Sequence, residues 1–276
     1  MLEIKKFDMR GIDDDKVCVM IGKRNTGKSF LVKDLLYHHK DIPVGNVLSG
    51  TEEANGFYGK MMPGIFIHGG YTPEIVDRFI KRQKLVVKTL NKEIDRGVDP
   101  RSTSIDPRAF FILDDCLYDN SWTTDVNIRS LFMNGRHYKV FFIITMQYPL
   151  GIPPNLRANI DYVFILRNNS TSDRKRIYEH YAGIFPTFEA FCQVMDSCTE
   201  NYECLVINNT VRSNKIEDCV FWYKADPHED FKIGHPTFWK YHQENCKSLD
   251  DDEEDEYDPY KNKKKKGTYM TIKKTY

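Results

Sequence analysis

Gly22-Lys23-Arg24-Asn25-Thr26-Gly27-Lys28-Ser29 matches the spacing G-x-x-x-x-G-K-[ST] at every defined position. An unbroken apolar run, Val17-Cys18-Val19-Met20-Ile21, precedes it and has the length of a buried strand. Beyond it Leu31, Val32, Leu35 and Leu36 recur at helical spacing, so the motif belongs between a strand and a helix. In that setting Gly22 and Gly27, with Asn25 and Thr26 between them, let backbone N–H groups wrap a phosphate, and the helix start adds its positive dipole end. Lys28 is expected to reach the β- and γ-phosphates, and Ser29 to offer its hydroxyl to Mg²⁺. The ligand implied is a nucleoside triphosphate.

Bulk properties narrow the rest. A chain of 276 residues, 41% of them hydrophobic, is long enough for one large α/β domain with appendages or for two small domains. No apolar run approaches the roughly eighteen residues of a membrane span, and Lys5, Lys6, Asp8 and Arg10 leave no signal-peptide stretch, so a soluble intracellular protein is expected. The 7 cysteines are odd in number, scattered and free of any C-x-x-C pair, which fits a reducing compartment and gives no support for zinc. Net charge is zero, from 40 basic and 40 acidic residues. Residues 249–276 contain 8 acidic and 7 basic side chains, which leaves 33 basic against 32 acidic in the body. Nucleic-acid binding would therefore rest on local basic patches or on a ring that gathers loops from several subunits.

Along the chain, residues 1–15 read as a short lead-in, and Val44–Leu48 and Gly64–His68 as strands ended by turns. A long helix is expected from Pro73, capped by Thr72, with Ile75, Phe79, Val86, Leu90 and Ile94 sharing a face. Its other side carries Arg78, Lys81, Arg82, Lys84, Lys88, Lys92 and Arg96: either a solvated helix face or a nucleic-acid surface. Ala109–Leu113 is a buried strand ending in Asp114-Asp115. Asp125 to Gly135 reads as a helix closed by glycine, and Val140–Ile144 as a strand ending in Thr145-Met146-Gln147. Ile160–Leu166 is a fifth core strand. Strands alternating with helices imply an α/β fold with a mostly parallel sheet covered on both faces.

Past Arg167, Ser172-Asp173 would cap a helix carrying Arg174, Lys175 and Arg176. Phe188–Met195 gives another helix, and Glu203–Asn208 with Val220–Tyr223 resembles a pair of edge strands. An acidic block, Asp250–Glu256, then Lys263–Lys266, cannot form a packed core, so 249–276 is expected to be a disordered, self-attracting or partner-binding tail. The organisation expected is one domain over 1–248, with its motifs in 15–210 and an elaboration in 211–248, followed by that tail.

The acids and the amide supply chemistry around the loop. Asp114 is placed to hold Mg²⁺ and Asp115 to act as base on an attacking water, although its reach is shorter than a glutamate's. Gln147, at the carboxyl end of the next strand, is placed to sense the γ-phosphate or position water, the alternative being a loop amide that satisfies its own backbone.

The loop 22–29, the strand Phe110-Phe-Ile-Leu-Asp-Asp115, the stretch Leu131-Phe-Met-Asn-Gly-Arg-His137, and Phe141-Phe-Ile-Ile-Thr-Met-Gln147 followed by Pro153-Pro-Asn-Leu-Arg157 together resemble the poxvirus-type genome-packaging ATPases of nucleocytoplasmic large DNA viruses. That family lies in the FtsK/HerA branch of P-loop motors, and the resemblance spans about residues 15–210. It implies a RecA-like (ASCE) domain that binds ATP and Mg²⁺, assembles as a hexameric or pentameric ring, and drives double-stranded DNA into a capsid at a portal vertex, in the host cytoplasm or viral factory or with the virion. Carried over, Lys28 and Ser29 serve phosphate and Mg²⁺, Asp114 and Asp115 are the metal and catalytic acids, and Gln147 is the sensor. Arg157 and Arg136 both follow motif elements, and either is a candidate arginine finger. The basic helix and the 174–176 cluster are candidate DNA grips. A P-loop kinase or signalling NTPase is the alternative enzyme, although a guanine-reading N-K-x-D is missing; a nucleotide-dependent assembly protein without translocation is the other alternative.

Overall fold

The computed structural model describes residues 2–100, 102–116 and 120–246. Its strands are β1 (Lys5–Lys6), β2 (Val17–Ile21), β3 (Gly45–Ser49), β4 (Ile67–His68), β5 (Ala109–Asp114), β6 (Val140–Met146), β7 (Tyr162–Leu166), β8 (Glu203–Asn208) and β9 (Val220–Lys224). They form one sheet in the order β1-β9-β8-β7-β2-β6-β5-β3-β4. Every neighbouring pair is parallel except β7·β8 and β8·β9, so β8 alone runs against the rest. The helices are α1 (Lys28–His38), α2 (Glu52–Asn55), α3 (Pro73–Asp95), α4 (Val126–Asn134), α5 (Pro154–Arg157), α6 (Thr171–Tyr181), α7 (Phe188–Cys198), α8 (Ile216–Cys219) and α9 (Pro236–Asn245).

The central strands are apolar on both faces, as a parallel sheet with helices on each side requires. Cys18 and Met20 of β2 point to the side covered by Leu31, Val32, Leu35 and Leu36 of α1. Val17, Val19 and Ile21 point the other way, toward Val76, Phe79 and Ile80 of α3, Ile128, Leu131 and Phe132 of α4, and Phe191 and Met195 of α7. The α/β fold expected from the alternating pattern is the one the chain adopts. No helix among the described residues is long and apolar enough to cross a membrane.

Several local expectations are corrected. In Gly64–His68 only Ile67–His68 is strand; Gly64–Phe66 forms a 3₁₀ turn. Thr72 precedes α3 but its side chain makes no cap bond, and α3 buries only its first half, through Val76, Phe79, Ile80 and Gln83. The Gln83 amide donates to the carbonyls of Pro107 (2.9 Å) and Tyr138 (2.8 Å), after which the helix leaves the core and Leu85 is 64% exposed. Gly135 keeps right-handed backbone and continues into a 3₁₀ turn; Lys139, with φ 55°, makes the left-handed stop. Ser170, not Ser172 or Asp173, caps α6. β8 and β9 lie inside the sheet, because β1 pairs beyond β9 and takes the edge. The charged stretch 249–276 lies outside the described residues.

The amino-terminal lead-in is part of the core. Phe7 is buried, with its ring edge-on to Tyr162, Phe164, Phe221 and Tyr223 at centroid distances of 5.7, 6.1, 5.6 and 6.4 Å. Phe7→Ala should lower unfolding free energy by about 3–5 kcal/mol in a urea melt; a loss below about 1 kcal/mol would mean the segment is not packed.

Candidate active site

The phosphate loop leaves β2 while still tied to the sheet: Gly22 N–H donates to the Met146 carbonyl at 3.0 Å. A methyl group on Gly22 would lie 2.9 Å from Leu166 Cβ and 2.7 Å from Thr26 Oγ1, so only glycine fits. The Thr26 hydroxyl donates to the Lys23 carbonyl at 2.7 Å and closes the loop on itself. Asn25 (φ 61°) and Gly27 (φ 100°) take left-handed backbone. Gly27 is also the residue before α1 and offers no side-chain cap, which leaves the first helical N–H groups free for an anion. The Lys28 ammonium is buried and donates to the carbonyls of Gly22 (2.7 Å) and Lys23 (3.3 Å). Burial lowers its pKa, and the nearby charges of Asp115 and Asp114 partly oppose that. Ser29 is exposed on the first turn of α1.

Register brings the acids to the same edge. Asp114 pairs with Ser49 on one side and Thr145 on the other. Thr145 donates its hydroxyl to Asp114 Oδ1 at 2.6 Å, and Ser49 donates to Oδ2 at 3.2 Å. Asp115 follows with φ 50°, its N–H donating to Thr145 Oγ1 at 3.1 Å. Gln147 Nε2 donates to Asp115 Oδ2 at 3.0 Å, and Lys28 Nζ lies 3.9 Å from that same oxygen. Lysine, acid and amide thus converge across β2, β6 and β5.

Burial raises the Asp114 pKa, hydrogen bonds from Thr145, Tyr58 and Ser49 pull the other way, and the neighbouring Asp115 charge raises it further. An ionised Asp114 in this position calls for a cation. A carboxylate and a serine hydroxyl are the hard oxygen donors Mg²⁺ takes alongside phosphate oxygens, so Asp114 and Ser29 fit the metal role.

The two arginines separate. Arg157 sits on α5, beyond Gln147, with Nη1 donating to the Ile152 carbonyl (2.8 Å), Nη2 3.3 Å from His180 Nδ1, and the guanidinium 5.7 Å from the Tyr181 ring centroid. Arg136 is at the opposite, amino edge of the sheet, beside Asp15, Lys16, Lys139 and Asp161, and is not brought to the loop of its own chain. Of the 174–176 cluster, Arg174 is committed to Asp196 (2.6 Å) and Arg176 to Asp173 (3.1 Å). In α3, Lys81 pairs with Asp77 at 2.6 Å, whereas Lys88, Lys92 and, just past the helix, Arg96 form no ion pair among the described residues.

Three contributors escaped the sequence reading. Ser49 and Thr145 support Asp114, and the available signal was a polar residue in the last two positions of each of three neighbouring strands. Tyr202, on the turn before β8, is 71% exposed, and a methyl group on Gly27 would lie 3.5 Å from its ring. Asn201 and Tyr202 both take positive φ, 49° and 64°, to set the ring there. Nothing in the local sequence marks that approach.

No protein-family model matches the chain. The uncharacterized protein L437 of Acanthamoeba polyphaga mimivirus is 38% identical over 242 residues, which is 87% of this chain and 83% of L437. The uncharacterized protein 088R of Invertebrate iridescent virus 3 is 39% identical over 220 residues, 78% of this chain and 79% of 088R. The chain belongs to this family of nucleocytoplasmic large DNA virus proteins. Its fold is that of P-loop ATPases. The crystal structure of B204, the DNA-packaging ATPase from Sulfolobus turreted icosahedral virus, matches with a TM-score of 0.52 at 17% identity, over 78% of this chain and all 100% of B204. B204 from Sulfolobus turreted icosahedral virus 2, in complex with ATPγS, matches with a TM-score of 0.50 at 16% identity, over 77% of this chain and 98% of that one. The resemblance drawn from the four motif stretches is borne out by the viral origin of the relatives and by the P-loop ATPase fold.

The raised pKa of Asp114 carries a sign. In the protein without nucleotide or divalent cation, Asp114→Asn should raise stability at neutral pH by removing the cost of a buried charge. The gain should be full above the raised folded-state pKa, shrink as pH falls through it, and be gone below the ordinary value of 3.8, where the wild-type acid is protonated in both states. Thermal melts of both proteins from pH 7 to pH 4 check this; a gain that persists unchanged at the acid end would contradict it.

Proposed function

We propose that this P-loop NTPase is the ATP-hydrolysing motor that moves double-stranded viral DNA into the capsid, working as a ring of identical subunits. The observation that carries this reading is the convergence of Lys28, Asp115 and Gln147 on one edge, with Gln147 3.0 Å and Lys28 3.9 Å from a single oxygen of Asp115. Relatives from large DNA viruses and the likeness to the DNA-packaging ATPase B204 support the packaging role.

The reading assigns each residue a task. The loop amides and Lys28 hold the β- and γ-phosphates of ATP, while Asp114 and Ser29 would hold Mg²⁺, which when bound neutralises phosphate charge. Asp115 accepts the proton of the attacking water, and Gln147, already bonded to that carboxylate, orients the same water. Arg157, at the carboxyl edge, is the better-placed finger for a neighbour's site than Arg136 at the amino edge. The projecting half of α3 and the residue after it, with Lys88, Lys92 and Arg96 in no ion pair among the described residues, form the preferred DNA grip, since both arginines of the 174–176 cluster are held in ion pairs. The protein would work in the host cytoplasm or viral factory, at the capsid's portal vertex.

Turnover of ATP should rise when duplex DNA is added, and should fall at least about a hundred-fold in Lys28→Ala and Asp115→Asn proteins that remain folded. Unchanged turnover in Lys28→Ala would falsify the catalytic assignment. Mixing Arg157→Ala with Lys28→Ala subunits should restore part of the activity if one subunit completes another's site; no recovery at any ratio counts against the shared site.

Tyr202 is assigned as the platform for the nucleobase, its exposed ring lying beside Gly27. Base–aromatic stacking contributes about 1–3 kcal/mol, so Tyr202→Ala should raise KM for ATP by about five- to hundred-fold with kcat little changed, and Tyr202→Phe should restore it. A drop in kcat at constant KM would reject this role.

A further inference from the structure

Away from the phosphate loop, at the far end of α1, three side chains aim ligand atoms at one point. Asp34 is fully buried, His38 lies one turn further along the same helix, and His228 comes from the segment after β9. His38 Nε2 is 3.4 Å from Asp34 Oδ1, His228 Nε2 contacts that same oxygen, and all three ligand atoms lie within 4.8 Å of one another. Tetrahedral zinc, with bonds of about 2.0–2.1 Å, separates its ligand atoms by roughly 3.3–3.4 Å.

The surroundings resemble the support that metal ligands receive. Tyr223, from β9, donates its hydroxyl to the other Asp34 oxygen at 2.6 Å and fixes the carboxylate. The Tyr37 ring stacks on His228 at 3.7 Å with planes 10° apart, and Phe231 closes edge-on against Tyr37 at 5.4 Å. A plain ion pair would need one imidazolium to balance Asp34. It leaves unexplained why a second imidazole presents its nitrogen to the same oxygen while a phenol fixes the opposite one.

We propose that Asp34, His38 and His228 bind a Zn²⁺ ion that clamps the chain after β9 onto helix α1. Two imidazoles and a carboxylate suit zinc, whereas Mg²⁺ prefers an all-oxygen shell. A small rotation of the His228 ring opens its contact with Asp34 to coordination distance, and solvent takes the fourth position. The cysteines take no part; the site is built from histidines 190 positions apart in sequence, which no local spacing motif describes.

The test uses the full-length, tag-free protein and does not depend on ATP hydrolysis. After exhaustive dialysis against metal-free buffer, elemental analysis should find about one zinc per chain in the wild type, and no stoichiometric zinc in His38→Gln or His228→Gln. Equal zinc content in wild type and both variants would overturn the site. Titrating Co²⁺ into chelator-stripped wild type should produce the visible absorption of a tetrahedral centre, and its absence would overturn the proposal even if a variant failed to fold. Tyr223→Phe should weaken zinc binding about ten- to hundred-fold; unchanged affinity would remove Tyr223 from the site's support. Chelation should lower the melting temperature by several degrees in the wild type alone; an equal fall in the variants would count against the clamp.

Discussion

A half-buried carboxylate at the end of β5 sets the terms for the whole carboxyl edge. Leaving a buried polar group unsatisfied costs about 1–3 kcal/mol, and more for a charge, so Asp114 must be surrounded by donors. The sheet register supplies them, since its partners on both flanking strands, Ser49 and Thr145, carry hydroxyls. Thr145 also accepts from the Asp115 N–H, and so fixes the left-handed turn that swings Asp115 toward Lys28. Lys28 and Asp114 are strained in opposite senses: burial disfavours the ammonium at one and the carboxylate at the other. A polyanion against Lys28 and a divalent cation against Asp114 relieve both at once. Ligands of those two charges would stabilise the folded chain by binding it in preference to the unfolded one.

The order of strands matters as much as the residues on them. β6 lies between β2 and β5, so the loop and the acids are two strand spacings apart, roughly 9–10 Å. That gap is too wide for a direct short contact between the loop backbone and Asp115, and it is the width that a phosphate and an attacking water need. Lys28 reaches across from one side and Asp115 from the other, with Gln147 rising from the intervening strand. Had β5 paired directly with β2, the same residues would have closed on each other with no room for a reacting group.

Much of this was legible from residue order because buried parallel strands write themselves as apolar runs. β2, β5, β6 and β7 were readable in that way, and the loop motif placed a helix directly after β2. What was illegible depends on distance in sequence. Ser49 and Thr145 are separated from each other by two strands' worth of chain and meet only through Asp114, so register had to be seen before their role was. β1 is two residues long, and Phe7 counts as core only because four aromatic rings from β7 and β9 surround it. The apolar stripe of α3 outran its partner, since helical periodicity reports what could be buried and not how far the sheet extends beneath it.

Helix α6 links the phosphate loop to the exit of β6. Lys23 of the phosphate loop meets Asp173 at 3.3 Å, and Arg176 both pairs with Asp173 and lies 5.4 Å from the ring of Tyr148, the residue after Gln147. One helix therefore touches both the loop after β2 and the exit of β6 beside Gln147. These contacts are partly exposed, and ion pairs of that kind contribute only about 0–1 kcal/mol each. A strong buried network would lock α6 in one position, whereas contacts of this size can be exchanged for others when the charge in the loop changes by one phosphate. The core under β2 and β6 is fully buried, whereas α6 lies on its rim, and Arg157, whose Nη2 lies against His180 on that helix, is tied to α6 rather than to the core.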